Sequence, residues 1–202
     1  MTKRRPLETA AELSARLEAD PAFVKREQER EKERVERSLR LRAEQEPMLA
    51  ELREVGWNVS SVWDLVNTST PYREAIPILL KHLLMPYSDR TREGIARALA
   101  VRDARSAWPI LVSEYRKAPI GEENGIRLGA KSGLAAALAA VATNDLMGEL
   151  VDLAKDRSNG STRLILLRAL RRSKSAVAKR AIEELASDPD LEKEIASWRR
   201  AN

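Results

Sequence analysis

RTREGIARAL (residues 90–99), IRLGAKSGLAAAL (126–138) and TRLILLRAL (162–170) are three versions of one segment. In each an arginine stands seven residues before a leucine: Arg92 and Leu99, Arg127 and Leu134, Arg163 and Leu170. A separation of seven returns a helix to nearly the same face, so each pair shares a side. The copies lie 35 and 36 residues apart, and each is followed by a second helix-like stretch. Such a period predicts stacked helix pairs, which bury a continuous core between neighbours and build an extended surface suited to binding.

Working outward, the pairs read as follows. Ser60 to Val66 precedes Tyr72 to Met85, which Pro86 stops, and Arg90 to Val101 precedes Ser106 to Lys117. Gly125 to Ala142 precedes Asp145 to Lys155, and Ser161 to Arg172 precedes Ser175 to Ala186. Asp188-Pro189 ends the last of these, and Leu191 to Arg200 reads as a terminal cap. Polar residues stand near most helix starts, where a side-chain oxygen satisfies exposed backbone N–H groups.

Ahead of the pairs lies a different composition. Thr9 and Glu12 have capping-box spacing and open a short helix to about Ala19. Asp20-Pro21 then reads as the cap and first residue of a long helix that is nearly all charge from Ala22 to Gln45. Between Met1 and Gly56 there are 13 basic and 13 acidic residues, so this arm (1–56) is neutral and ahead of a repeat region (57–202). Val24, Val35 and Leu39 form too thin a stripe for a coiled-coil seam. Pro47 is expected to break or kink the helix before Met48, Leu49, Leu52 and Val55 resume an apolar face, and Gly56 to cap it.

The second helices repeat as well: AIPILLKHL from Ala75 matches AWPILVSEY from Ala107, 32 residues on. The proline falls in the first turn, where a missing N–H costs little. Together with the Arg…Ala-Leu first helix, this resembles HEAT repeats, in particular the short bacterial type seen in phycobilisome-lyase-like proteins. The resemblance spans Trp57 to Trp198, with Leu146-Met147-Gly148 replacing the proline motif in the third pair. It implies an all-α, right-handed α–α superhelix (a solenoid) with a long charged N-terminal helix. First helices would lie outside and second helices would line the concave side. It also implies a structural use for the recurring arginine. At 100° per residue Arg163 sits on the apolar side of its helix, so its guanidinium is expected to reach a cap or loop carbonyl of a neighbouring unit.

Composition narrows the function. With no cysteine, thiolate metal sites and cysteine nucleophiles are excluded, and a cytoplasmic protein is expected. Met1 to Pro6 is basic, but no hydrophobic stretch follows, so no secretory signal is expected, and no apolar run is long enough to span a bilayer. His82 is the single histidine and reads as an ordinary helix residue. No phosphate loop, metal-ligand spacing or nucleophile elbow appears, so the expectation is a non-catalytic chain without cofactor or metal. Trp57, Trp63 and Trp108 read as packing residues, and Trp198 as packing or an exposed anchor beside Arg199 and Arg200.

Two surfaces remain for binding. Assigning each apolar stripe inward leaves Lys81, Ser113, Glu114, Lys117, Glu149, Asp152 and Lys155 exposed along the second helices. This mixed-charge row suits a protein partner. The chain carries 36 basic and 31 acidic residues, a net +5 too small by itself to indicate nucleic acid. Yet between Lys155 and Arg180 nine basic residues meet only Asp156. Lys179 and Arg180 have i,i+4 acid partners, which leaves Arg168, Arg171, Arg172 and Lys174 as either a solvated face or an alternative docking patch for a nucleic-acid backbone or an acidic protein. No aromatic residue interleaves them, which disfavours stacking on single strands.

Overall fold

The computed structural model describes residues 9–121 and 129–200, with the side chains of the last two left aside. All regular structure among the described residues is helical. The chain divides into two compact units, Met1–Ala43 and Glu44–Asn202, so the boundary falls before Gly56 and inside a helix. Residues 125–128, including Arg127 of the second echo, lie outside the described residues.

In the first unit Thr9 and Glu12 form the expected capping box over α1 (Ala10–Glu18). Asp20 accepts from the Ala22 N–H, 2.9 Å, at the start of α2 (Pro21–Glu54). From Lys25 to Arg40 every residue is exposed, with pairs such as Glu27–Arg30 and Glu31–Arg34 one turn apart. Such exposed pairs are screened by solvent and contribute little to stability.

Helix α2 runs on through Pro47, so of the break or kink expected there the break does not occur. The second unit supplies the reason. Gln45, Met48, Leu49 and Leu52 are buried on both sides of the proline while Pro47 itself faces solvent. Burial of these side chains outweighs the one hydrogen bond that the proline cannot donate. The preceding residues are also tied down. Gln45 Oε1 accepts from the Val62 N–H at 3.0 Å, at the start of α3 (Val62–Asn67). Glu44 accepts from Ser88 N–H, Ser88 Oγ and Thr91 Oγ1 at the start of α5 (Asp89–Ala98).

The pairs follow. Helix α3 precedes α4 (Ile76–Leu83), and α5 precedes α6 (Trp108–Lys117). Helix α7 (Ala130–Val141) precedes α8 (Met147–Lys155), and α9 (Arg163–Arg172) precedes α10 (Ala176–Leu185), with α11 (Glu192–Arg200) last. First helices pack in sequence: α3 on α5, α5 on α7, α7 on α9. Helices α4, α6, α8 and α10 each pack on a first helix of their own or the next pair. Leu99, Leu134 and Leu170 are all fully buried, as the echo predicts.

Small residues set the closeness of these contacts. A methyl at Gly94 would meet Val62 Cγ1 at 2.6 Å, and one at Gly133 would meet the Glu93 carbonyl at 2.7 Å. This is why α7 reads AKSGLAAALAAV: it lies against both α5 and α9 and is buried nearly all round. Helices α4, α6 and α8 are each entered through a 3-10 turn, Arg73–Ala75, Arg102–Ala107 and Asn144–Leu146. The third pair therefore keeps this entry without the proline, and in the other two Pro77 and Pro109 occupy the first turn.

Candidate functional site

Of the recurring arginines, Arg92 and Arg163 lie among the described residues, and each bonds to another helix or its flank. Arg163 is completely buried; its Nε donates to the Ala154 carbonyl of α8 at 2.7 Å, and its terminal nitrogens reach Asp188 and Asp190 before α11. That hydrogen bond holds the Asp188 carboxyl below the usual carboxylate range. Arg92 instead reaches Glu114 of α6 at 2.7 Å. A residue missed in the sequence does the work of Arg163 one pair earlier. Lys131 Nζ donates to the carbonyls of Tyr115 (3.0 Å) and Ala118 (3.1 Å), closing the C-terminal end of α6. It lies 4.8 Å over the Tyr115 ring. Burial pushes the Lys131 amine down and the Tyr115 hydroxyl up to about 12.

Along the second helices, ion pairs join neighbouring elements. Glu51 of α2 accepts from Lys81 (2.7 Å) and meets His82 Nε2 (3.1 Å) on α4. Glu149 of α8 accepts from Trp108 Nε1 (2.7 Å) and Arg116 (3.4 Å) on α6. Lys155 of α8 donates to Glu184 of α10. The Glu51 and Glu184 carboxyls are held low by Lys81 and Lys155 respectively.

Of the seven residues expected on this face, Lys81, Ser113, Lys117, Asp152 and Lys155 are exposed, and Glu149 is half-buried. Glu114 is the correction. It is 7% exposed because Arg92 draws it toward α5, while Lys117 covers it from outside at 3.0 Å. The structure thus joins Glu114 with Lys117 and leaves Ser113 and Asp152 as open surface.

Arg168, Arg171, Arg172 and Lys174 are all exposed at the C-terminal end of α9 and beyond it. They are not four equivalent free cations. Arg171 lies 5.0 Å over the half-buried Trp198 ring, and Arg172 donates to the Ala139 carbonyl of α7 at 2.6 Å. His82, expected as an ordinary helix residue, is wholly buried, with Tyr87 Oη 2.7 Å from Nδ1 and Glu51 at Nε2. Trp63 and Trp108 pack on the core, and Trp57 stands edge-on to Tyr72 at 5.7 Å. No helix among the described residues is long and apolar enough to cross a membrane. The chain matches no protein-family model, no curated protein and no solved structure.

Proposed function

We propose that this chain is a cytoplasmic, non-catalytic interaction scaffold, a HEAT-like right-handed superhelix that binds a protein partner through its row of second helices. The observation that carries this reading is the exposure of Lys81, Ser113, Lys117, Asp152 and Lys155 on three successive second helices. Ion pairs between neighbouring elements fix the flanks of that row, so its side chains are held in place before a partner arrives. Its mixed charge favours a partner of mixed charge over a polyanion.

The alternative is a nucleic-acid-binding accessory protein. Arg168 and Lys174 favour it, being exposed with no carboxylate within ion-pair distance among the described residues. Photo-cross-linkers at Ser113, Asp152 and Arg168, introduced one at a time in cells, separate the two. Ser113 and Asp152 should capture the same protein, unaffected by nuclease, while Arg168 captures neither that protein nor nucleic acid. Nuclease-sensitive adducts from Arg168 with none from Ser113 and Asp152 would replace the first reading with the second.

A further inference from the structure

Three successive connections converge on one cleft: the Arg102–Ala107 turn before α6, the link from α7 to α8, and the link from α9 to α10. The cleft is about 330 Å³ and is lined by Arg105, Thr143, Asn144, Arg172 and Ser173 over an apolar floor that includes Met147. Each of the five polar side chains carries at least one N–H or O–H donor. Among the described residues no carboxylate lines the cleft. Asp145 is the nearby acid; its carboxyl is engaged first by the Thr143 hydroxyl and its own backbone N–H, with Arg105 adding the weakest pull.

The arginines of this cleft share with neighbouring Arg168 the lack of a carboxylate partner among the described residues, unlike several others in the second unit. Arg92, Arg97, Arg116, Arg157 and Arg163 each have a carboxylate within 4.0 Å. Among the described residues neither Arg105 nor Arg172 has one. Arg172 is nevertheless fixed, because one terminal nitrogen donates to the Ala139 carbonyl, leaving the remaining N–H groups of a planar fork. Ser173 Oγ lies 3.2 Å from Asn144 Oδ1 and 3.0 Å from Ser175 Oγ, and accepts from the Ser175 N–H at 3.2 Å. An incoming oxyanion could take over its proton at little cost.

We propose that this cleft binds a phosphate group. Two guanidinium groups supply N–H donors that match tetrahedral oxygens, and the Ser173 hydroxyl and Asn144 amide supply the rest, the Thr143 hydroxyl being engaged by Asp145. Two sources present this chemistry, a small phosphorylated ligand and one link of a polynucleotide. Exposed Arg168, one turn before Arg172 on α9, is the next cation that a phosphate chain would reach. The inference rests on the cleft alone, and stands or falls separately from the second-helix row.

Titration of the full chain with inorganic phosphate at low ionic strength, followed by calorimetry or amide chemical shifts, tests it. Saturable binding is expected for the wild type and for Arg116→Gln, a change on the second-helix row. Arg105→Gln and Arg172→Gln should each weaken it roughly tenfold or more, the scale of a lost charge-assisted hydrogen bond. Arg172→Gln also releases the Ala139 carbonyl, so Arg105→Gln, exposed and without a hydrogen bond to the fold, carries the decision. Non-saturable binding, or equal weakening in Arg105→Gln and Arg116→Gln, overturns the site. A parallel titration with a short DNA duplex identifies the source. Duplex affinity lost in both Arg105→Gln and Arg168→Gln assigns the phosphate to a polynucleotide, whereas duplex indifference alongside lost phosphate binding assigns it to a small ligand.

Discussion

A guanidinium with no solvent contact at Arg163 is tolerated because every direction it points in is answered. It closes the end of α8 through Ala154 and holds Asp188 ahead of α11, and Arg157 approaches the same carboxylate from outside at 3.4 Å. Replacement by Met preserves much of the volume but leaves Asp188 without its buried partner. Breaking one side of such a pair costs about 3–5 kcal/mol. The pH dependence has a definite sign. The native Asp188 carboxyl is depressed, so its contribution is complete above the unfolded value near ~3.9 and disappears as pH falls through the lower, native value. Urea denaturation of wild type and Arg163→Met should therefore differ widely at about pH 6 and converge in stronger acid. A gap that stays constant down to about pH 2 would detach the arginine's role from Asp188.

Among the elements, the last three turns of α2 do more than their sequence advertises. Through Glu44 and Gln45 they cap two other helices, α5 and α3, and through Met48, Leu49 and Leu52 they enter the core. A chain shortened to begin near Arg40 should keep the thermal stability of the Glu44–Asn202 unit. One beginning at Met48 keeps the caps Ser61 and Ser88 but loses the hydrogen bonds that Gln45 and Glu44 make to them, each worth about 0.5–1.5 kcal/mol, and should melt several degrees lower. Equal melting temperatures for the two would show that Glu44 and Gln45 are dispensable. Local signals were legible in the sequence: the Thr9–Glu12 box, the first-turn prolines, the buried leucines of each echo. Glu44 and Gln45 were not, because their partners lie 16 to 47 residues away and no short motif marks such a cap. Lys131 was hidden for another reason. Lys131 and Leu138 stand seven apart as Arg163 and Leu170 do, but a long connection after α6 shifts the frame, and lysine replaces arginine. Along the second helices, the apolar stripes foretold the exposure of Lys81, Ser113, Lys117, Asp152 and Lys155. Glu114 escaped because its burial depends on Arg92 arriving from another helix.

For the molecule as a whole, the layer of first helices is held together at its middle by α7, which contacts α5 on one side and α9 on the other. Two glycine substitutions test this division of labour. At Gly133 a methyl would lie 2.7 Å from the Glu93 carbonyl and 3.0 Å from the Ala96 Cβ, so Gly133→Ala must part α5 from α7. Overpacking of this kind costs about 1–3 kcal/mol and exceeds the helix-propensity gain of about 1. At Gly148, on α8, a methyl meets nothing within 4 Å, so Gly148→Ala should stabilise by up to about 1 kcal/mol. Chemical denaturation should thus move in opposite directions for the same substitution; a stabilising Gly133→Ala would mean that the two helices are not pressed together. The double cap made by Glu44 and Gln45 also bears on how such an array could lengthen. Duplicating a repeat normally adds an interchangeable module. Here the first turns of α3 and α5 are completed by side chains from a helix that precedes every pair. A module inserted between those two helices would carry Ser88 and Thr91 of α5 away from Glu44, and the newcomer would have to offer that carboxylate donors of its own. The pairs nearest α2 are in this way tied to one particular helix, whereas the later pairs rest on one another.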